Sequence, residues 1–339
     1  MLESDGDSAE ARPLASLLLI AFNQQQTIAE AIAGAVAQTW TPLEILISDD
    51  ASTDDTFGAM QAAVAGYRGP HRIVLNRNPA NLGIGAHLSQ LVAMSRGELL
   101  FVAAGDDVSL PQRCERVVES WLASGRRLDL IASALVDTDA GGTDHATITP
   151  SDLATYRSAA DLVARPPHVI GAAQAWTRRV FNRFGPLPSG VVAEDLIMVF
   201  RAVVSGGGMT LAEPLVRYRR GGLSSRRRAL SAAHVIERWR ANSRHSLVEL
   251  PLLLADAEKA GQLAAVEAAL TAQLARETLV RDLFATDDRA QRARLLLRAR
   301  EVPLAQRLRF AVYALWPALL APLFAAKRLL RRRGEEAGR

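Results

Sequence analysis

The sequence has very little cysteine and no sign of an export signal, and both absences narrow the possible functions. Cys114 is the only cysteine among 339 residues, which excludes an internal disulfide and a cysteine-rich zinc site. The N-terminus, Met1-Leu2-Glu3-Ser4-Asp5, has no basic region before an apolar run, so no secretory signal peptide is predicted. A location in the cytoplasm is therefore expected.

The sequence also lacks the motifs of two classes of phosphate-binding protein, the P-loop proteins and the nucleic-acid-binding proteins. No P-loop motif occurs, so a bound phosphate would have to be held in another way. The net charge is +4 and arginines crowd the final third, ending in Arg331-Arg332-Arg333. Few aromatic residues are interleaved with these arginines, and no nucleic-acid recognition motif appears, so no nucleic-acid partner is expected.

Short apolar runs alternate with helical patterns through the first two thirds of the chain. This alternation predicts an α/β fold with a mostly parallel central sheet that helices cover on both faces. After about Ser224 the composition changes to Ala, Leu, Arg and Glu, which is typical of helices. We therefore expect a flexible tail at residues 1–13, an α/β domain at residues 14–222 and a helical extension at residues 223–339.

Two acidic pairs follow strands of this predicted sheet. Asp49-Asp50 follows the second strand and Asp106-Asp107 follows the fourth. Ligands of parallel sheets bind beyond the carboxyl ends of the strands. One such pair would more often cap a helix than bind a ligand, but two pairs at neighbouring strand ends, with no basic residue beside them, would repel each other. Mg²⁺ or Mn²⁺, which prefer carboxylate and phosphate oxygens, would relieve that repulsion.

Two helix starts are predicted from local patterns. Thr27 with Glu30 has the spacing of a capping box. Glu194-Asp195 precedes apolar residues at spacings that suit a buried helix face: Leu196, Ile197, Val199 and Phe200. Asp195 would then lie in the first turn of a helix, where the helix dipole favours a carboxylate in its ionised form.

Several short motifs occur in an order that resembles the inverting family 2 glycosyltransferases with the GT-A fold. The resemblance covers roughly residues 14–225, and its elements are Ala21-Phe22-Asn23, Ile47-Ser48-Asp49-Asp50-Ala51-Ser52, Asn78-Pro79-Ala80-Asn81-Leu82-Gly83, Arg96-Gly97-Glu98, Gly105-Asp106-Asp107 with Pro111, Glu194-Asp195 with Arg201, and Tyr218-Arg219. Each motif alone is a weak signal, whereas together they are specific.

The resemblance implies a role for each matching residue. Asp195 would be the catalytic base and Asp107 the ligand of Mg²⁺ or Mn²⁺. Asp50 would contact the base of a nucleotide-sugar donor. Because a carboxylate only accepts hydrogen bonds, it suits uracil or thymine, which offer an N3–H, and guanine would also satisfy it. UDP or dTDP is the expected carrier. The other substrate-binding residues would be Phe22, Asn23, Asp106, Glu194 and Arg219.

The family resemblance implies a sugar transfer to an acceptor hydroxyl, in the assembly of a cell-surface polysaccharide or glycolipid. The partners would be the nucleotide-sugar donor and a saccharide or lipid-linked acceptor. The sequence departs from the family at Ala104, where many members have a first aspartate before Gly105-Asp106-Asp107. A protein that binds a sugar nucleotide without catalysis is therefore a second hypothesis, although the intact Glu194-Asp195 argues against it.

The C-terminal region contains an uncharged stretch at residues 310–326, which Pro317 and Pro322 interrupt and basic residues flank. It is shorter than the roughly 20 apolar residues of a spanning helix. The sequence therefore predicts a membrane-interface segment at residues 304–333, and a peripheral position at the inner face of the membrane, on an anionic surface. A helix packed on the protein is the alternative.

Overall fold

The structure is a computed structural model, which describes residues 12–219 and 231–325. Most of the expected N-terminal tail, the junction near residue 222 and the arginine-rich end of the sequence lie outside the described residues. Contacts divide the chain into two compact units. The first contains residues 1–189 and 193–222, and the second contains residues 190–192 and 223–339.

The first unit is built on one mixed sheet. Its strands are β1 Ala15–Ala21, β2 Leu43–Asp49, β3 Arg72–Arg77, β4 Leu99–Ala104, β5 Val108–Ser109, β6 Leu130–Thr138, β7 Asp144–Ile148, β8 Gln174–Thr177 and β9 Gly208–Arg219. They lie in the order β3-β2-β1-β4-β8-β6-β9-β5, with β7 paired to β6. The first four strands are parallel neighbours, as the sequence predicted.

Strand β8 separates this parallel part from the rest of the sheet, because it pairs antiparallel to both β4 and β6. Strand β9 then runs parallel to β6, and its far end pairs antiparallel to the short β5, which directly follows the second acidic pair. The last strand of the unit therefore returns to the edge where the first strands end. The expected α/β architecture is confirmed.

Helices connect the strands of the first unit: α1 Ile28–Val36, α2 Thr56–Val64, α3 Ile84–Met94, α4 Arg113–Ala123, α5 Ala159–Ala164, α6 Arg178–Phe184 and α7 Glu194–Val203. A buried core joins α1 and α4 to the inner strands, with Leu17, Leu19, Ile45 and Phe101 almost inaccessible to solvent. Continuous apolar strands such as β1 fit this burial, since both faces of a parallel sheet are covered.

One local prediction about helices fails, and a second is wrong at one residue. The side chain of Thr27 makes no capping hydrogen bond at the start of α1. Its hydroxyl donates instead to the carbonyl of Gly105, and Glu30 forms an ion pair with Arg219. In α7, Leu196 is exposed rather than buried, whereas Ile197, Met198, Val199 and Phe200 are buried. At the start of α1, tertiary contacts have therefore replaced the predicted capping box.

The second unit is helical in its described part, with α8 Ala232–Lys259, α9 Leu263–Ala285, α10 Arg289–Arg298, α11 Leu304–Leu315 and a 3₁₀ helix at Pro317–Leu320. Its apolar core includes Trp239, Val280, Leu283 and Phe310. Among the described residues, no single helix is long and apolar enough to cross a membrane. The pair Leu304–Leu315 and Pro317–Ala325, bent by 100°, meets the length and composition of a broken span.

Candidate functional site

The two acidic pairs leave strands that lie on either side of β1. Asp49 is the register partner of Ala21, and Ala104 is the partner of Ile20. The backbone N–H of Asp50 donates to the carbonyl of Ala21, and the N–H of Gly105 donates to that of Ile20, both at 2.9 Å. Strand β1 therefore lies between the two acidic pairs.

The loop after β1 contacts both acidic segments. Asn23, which has a positive φ of 53°, accepts a hydrogen bond from the N–H of Thr53 at 2.8 Å and donates its own N–H to Ser52 Oγ at 2.8 Å. On the other side, the hydroxyl of Thr27 donates to the carbonyl of Gly105 at 2.8 Å, and the side chain of Gln24 lies against the same glycine. Phe22, beside Asn23, is 45% exposed. Phe22 and Asn23 therefore lie at the expected edge of the sheet.

Gly105 allows this loop to approach closely. A Cβ atom at position 105 would lie 2.5 Å from Gln24 Oε1 and 2.7 Å from the Cβ of Ala21. Contacts of that length do not occur for real Cβ atoms, so a larger residue would push the loop away from the acidic pair. The close approach of the loop therefore explains why the Gly105-Asp106-Asp107 motif has glycine at its first position.

Asp50 is buried and holds the loop that follows β3. Its Oδ1 accepts hydrogen bonds from Asn78 Nδ2 at 2.8 Å and from the N–H of Leu82 at 2.9 Å, while Oδ2 accepts from the N–H of Gly83 at 2.9 Å. A carboxylate offers about four acceptor positions. Three of them orient the Asn78–Gly83 motif, which leaves about one for a ligand.

A line of buried polar groups extends behind Asp50. His87 Nε2 lies 2.6 Å from Ser48 Oγ, and the side-chain amide of Asn76 donates to Ser48 Oγ at 2.8 Å and to Asn78 Oδ1 at 2.9 Å. Burial lowers the pKa of His87, although the charges of Asp50 and Asp49 partly oppose this effect. The network fixes Asn78, which in turn fixes Asp50.

Asp49 has different partners from Asp50, as expected of consecutive residues at a strand end. It accepts hydrogen bonds from the N–H and the hydroxyl of Ser52, and it forms an ion pair with Arg77 at 3.2 Å. Asp49 thus stabilises the turn after β2. Arg77 also shows that this pair has a compensating basic residue, although none lies beside it in the sequence.

Asp106 and Asp107 form the less compensated pair. Burial raises the pKa of Asp106, against the hydrogen bond from Gln24 and the charge of Arg219. Burial and the neighbouring charge of Asp106 raise the pKa of Asp107 to about 8. Asp107 Oδ1 accepts a hydrogen bond from the backbone N–H of Arg219 at 2.8 Å, and among the described residues its Oδ2 takes part in no hydrogen bond.

Arg113 lies beneath this pair and is fully buried in the first turn of α4. Its guanidinium group donates to Ser109 Oγ at 2.9 Å, to the carbonyl of Val102 at 2.8 Å and to that of Gln174 at 3.2 Å. It is also a source of positive charge near Asp107. Arg113 therefore joins β4, β5 and β8 around the second acidic pair.

Arg219 connects the end of β9 to the same place. Its Nε donates to the carbonyl of Asp106 at 3.2 Å, Nη1 to the carbonyl of Ala140 at 3.2 Å, and Nη2 to Glu30 at 2.6 Å. The residue expected to bind substrate thus lies beside Asp106 and Asp107. The assumption that no basic residue compensates this pair was wrong, because Arg219 arrives from a distant strand.

The carboxylates of Asp106 and Asp107 fit a divalent cation only as part of its coordination shell. Among the described residues, no three His, Cys, Asp or Glu side chains cluster as a metal site. A buried aspartate whose pKa rises to about 8 beside a second carboxylate nevertheless favours a nearby positive charge. Mg²⁺ commonly binds one or two carboxylates and takes its other ligands from phosphates and water. Asp107, with Asp106 beside it, would hold such an ion.

Asp195 lies in the first turn of α7, as predicted, and is half-buried. Its Oδ1 accepts from the N–H of Leu196 at 2.8 Å. Glu194 is buried, and a Cβ atom at Gly171 would lie 2.5 Å from its Oε1. Gly171 therefore leaves space for the Glu194 carboxyl group, a role that no sequence pattern signalled.

Gln174 is a second residue that the sequence did not single out. It is fully buried, and its side-chain amide donates to the backbone carbonyl of Asp195 at 3.3 Å. The backbone carbonyl of Gln174 accepts a hydrogen bond from the Arg113 guanidinium group. Gln174 thus connects the start of α7 with the arginine beneath Asp107. The indole of Trp176 donates to Gln174 at 2.8 Å and is itself buried, so it is not available to stack on a sugar.

Cys114 adds no chemistry to the site. It is fully buried in α4, and burial raises the pKa of its thiol to about 12. A thiol with so high a pKa is protonated at neutral pH and is a poor nucleophile.

Comparisons with known proteins bear on the family and the fold. Residues 16–181 match the family described as Glycosyl transferase family 2. The putative glycosyltransferase EpsE of Bacillus subtilis is 30% identical over 139 residues, which cover 41% of this chain and 49% of EpsE. The succinoglycan biosynthesis protein ExoO of Rhizobium meliloti is 33% identical over 34% of this chain and 32% of its own length. The matches thus span about half or less of these curated relatives.

Two solved structures have a similar fold. S. aureus TarS in complex with UDP-GlcNAc superposes with a TM-score of 0.52 at 16% identity, over 93% of this chain and 87% of that one. The mannosyltransferase PcManGT of Pyrobaculum calidifontis, in complex with GDP-Man and Mn²⁺, gives a TM-score of 0.50 at 16% identity, over 91% of this chain and 88% of that one. The sequence match thus identifies residues 16–181 as a glycosyltransferase family 2 domain, and the two solved structures show that its fold is of the GT-A type.

Proposed function

We propose that this protein is an inverting glycosyltransferase, which moves a sugar from a nucleoside diphosphate to an acceptor hydroxyl. The observation that carries the proposal is the placement of two acidic pairs on either side of β1, with one loop in contact with both. A nucleotide sugar needs both parts of such a site, a place for the nucleotide and a place for the diphosphate. Asp50 and Asn23 serve the first, and Asp106, Asp107 and Arg219 serve the second.

In this proposal Asp50 accepts the N3–H of uracil or thymine with its remaining acceptor position. Its other positions hold the loop that ends at Gly83, so the same carboxylate both shapes the nucleotide site and reads the base. UDP or dTDP is therefore the proposed carrier. Phe22, exposed beside Asn23, offers an apolar surface to the nucleotide.

The diphosphate would lie against Asp107 and Arg219. A divalent cation bound at Asp107 and Asp106 would supply charge neutralisation for the leaving diphosphate. Arg219, which is held by Glu30 and by the carbonyl of Asp106, is placed to donate to a phosphate oxygen. Arg113 contributes positive charge near Asp107 from below and does not itself contact the donor.

Asp195 would act as the general base. Its carboxylate accepts the proton of the acceptor hydroxyl while that oxygen bonds to the anomeric carbon. The bond from the anomeric carbon to the diphosphate oxygen breaks in the same step, so the configuration at that carbon inverts. Glu194, buried against Gly171, holds the first turn of α7 on the acceptor side.

The names of two relatives support a polysaccharide acceptor: succinoglycan biosynthesis protein ExoO, and the chondroitin synthase of Escherichia coli, which is 32% identical over 31% of this chain. We propose a saccharide or lipid-linked saccharide as acceptor, and a cytoplasmic site of reaction, since a chain with one buried cysteine has no need of an oxidising compartment.

Ala104 keeps a second function open, namely binding of a sugar nucleotide without transfer. The test is a screen of UDP-, dTDP- and GDP-sugars for donor hydrolysis with Mn²⁺, Mg²⁺ or a chelator. We expect metal-dependent release of UDP or dTDP, and a transferred sugar with inverted configuration by NMR. Tight donor binding with no turnover on any acceptor would favour the non-catalytic protein.

A further inference from the structure

The C-terminal part of the second unit has both buried and exposed apolar side chains. Phe310, Ala314 and Phe324 are buried in the core of that unit. The ring of Phe310 meets Trp239 edge-on at 5.1 Å, and Tyr313 meets the same indole at 4.7 Å. Helix α11 and the turn after it are therefore anchored to the unit.

The same segment, residues 304–323, also exposes large apolar side chains. Five of them keep half or more of their surface accessible: Leu304 61%, Leu308 59%, Trp316 53%, Leu319 70% and Leu323 50%. Leu304 and Leu308 are one turn apart and share a face of α11. Single exposed leucines need no explanation, but five large apolar residues within twenty positions do. We call these five residues the C-terminal apolar surface.

In the sequence, basic residues flank this apolar stretch and acidic residues are absent from it. No Asp or Glu occurs between Val302 and Arg333, whereas seven basic residues do: Arg307, Arg309, Lys327, Arg328, Arg331, Arg332 and Arg333. Arg309, within α11, is exposed. A partner of this surface must therefore accept apolar side chains and also present negative charge.

We propose that the C-terminal apolar surface docks on an anionic lipid bilayer, with its leucines and Trp316 in the headgroup–acyl boundary and Arg309 at the headgroups. An apolar face with tryptophan and flanking arginines is the pattern of helices that lie in the membrane interface. The anchoring of Phe310, Ala314 and Phe324 in the core favours a segment that lies on the bilayer over one that crosses it. The proposal does not depend on sugar transfer.

The experiment measures binding of the full chain to vesicles by co-sedimentation. Vesicles of phosphatidylcholine alone are compared with vesicles that also contain phosphatidylglycerol. We expect binding to the anionic vesicles, and a loss of about one to two orders of magnitude in the partition coefficient for Leu304→Glu/Leu308→Glu, because both leucines would leave the lipid. Both positions are exposed, so the variant should keep the melting temperature of the wild type.

Met94→Glu is the matched control, because Met94 is an apolar residue of the first unit that is 38% exposed. It introduces the same kind of change and should bind vesicles as the wild type does. Equal binding of the wild type and the double variant would overturn the proposal. So would a wild-type chain that ignores anionic vesicles but forms a dimer that the double variant lacks, since the surface would then cover a second copy.

Discussion

The backbone N–H of Arg219 donates a hydrogen bond to Oδ1 of Asp107 at 2.8 Å, across 112 positions of sequence. This contact joins the end of β9 to the turn after β4, and it places the Arg219 guanidinium group beside Asp106. The proposed diphosphate site is therefore assembled from two segments that are distant in the sequence.

Asp107→Asn should abolish metal-stimulated binding of a nucleoside diphosphate. The amide keeps the size of the side chain and can still accept from Arg219, but it loses the negative charge that attracts the cation. Isothermal titration of UDP with and without Mn²⁺ measures the effect. An unchanged metal response in the variant would contradict the role of Asp107.

The stability of the metal-free protein should depend on pH through Asp107. Its pKa rises from 3.8 to about 8 in the folded chain, so between these values the folded state holds a proton that the unfolded state has released. The protonated carboxyl group therefore stabilises the folded state fully at pH values below 3.8, the pKa in the unfolded chain. This stabilisation is lost as the pH rises through about 8, the pKa in the folded chain. The slope is at most about 1.4 kcal/mol per pH unit.

The measurement compares thermal unfolding of the wild type and Asp107→Asn between about pH 5 and about pH 9, with a chelator present. The wild type should lose stability relative to the variant as pH rises, and Mn²⁺ should reduce that loss because it binds the deprotonated carboxylate. Parallel pH profiles for the two proteins would mean that Asp107 titrates normally.

Arg113→Met should destabilise the fold by about 3 kcal/mol or more, because it leaves the buried carbonyls of Val102 and Gln174 and the hydroxyl of Ser109 without their donor. Denaturant unfolding measures this loss. Arg116→Met, on the exposed side of α4, is the control and should change stability by less than about 0.5 kcal/mol. Similar losses for both variants would contradict the structural role of Arg113.

Asp50→Ala should weaken binding of UDP and dTDP more than that of CDP, because cytosine lacks the N3–H donor that a carboxylate accepts. Asn78→Ala is the matched control, since it removes a contact of the same loop but keeps the carboxylate. It should weaken all three ligands alike. If Asp50→Ala also weakens all three alike, Asp50 only holds the loop.

The sequence predicted the parallel strands, the acidic pairs at their ends and the start of α7, because each depends on local periodicity or on a strand end. It did not predict the ion pairs of Asp49 with Arg77 and of Glu30 with Arg219, since the partners come from different elements of the fold. Thr27 and Glu30 had the spacing of a capping box, but both side chains bind distant groups instead. Gln174 and Gly171 carried no pattern, because their roles arise from packing alone.

The acceptor side of the proposed mechanism depends on Asp195. The carboxyl group lies in the first turn of α7 and accepts from the N–H of Leu196, so a simple capping role is its competing explanation. Asp195→Asn separates the two roles, because the amide oxygen can still accept that hydrogen bond but cannot take the proton of an acceptor hydroxyl. The control is Asp152→Asn, because Asp152 is an exposed cap of the 3₁₀ helix Leu153–Thr155 in the first unit.

The most direct test of the proposed mechanism is the rate of sugar transfer by Asp195→Asn, measured beside donor affinity and melting temperature. The account predicts a fall of roughly 10²–10⁴-fold in transfer, with donor affinity and melting temperature close to those of the wild type and with Asp152→Asn fully active. Near-normal transfer by Asp195→Asn would contradict it and would leave Asp195 as a helix cap.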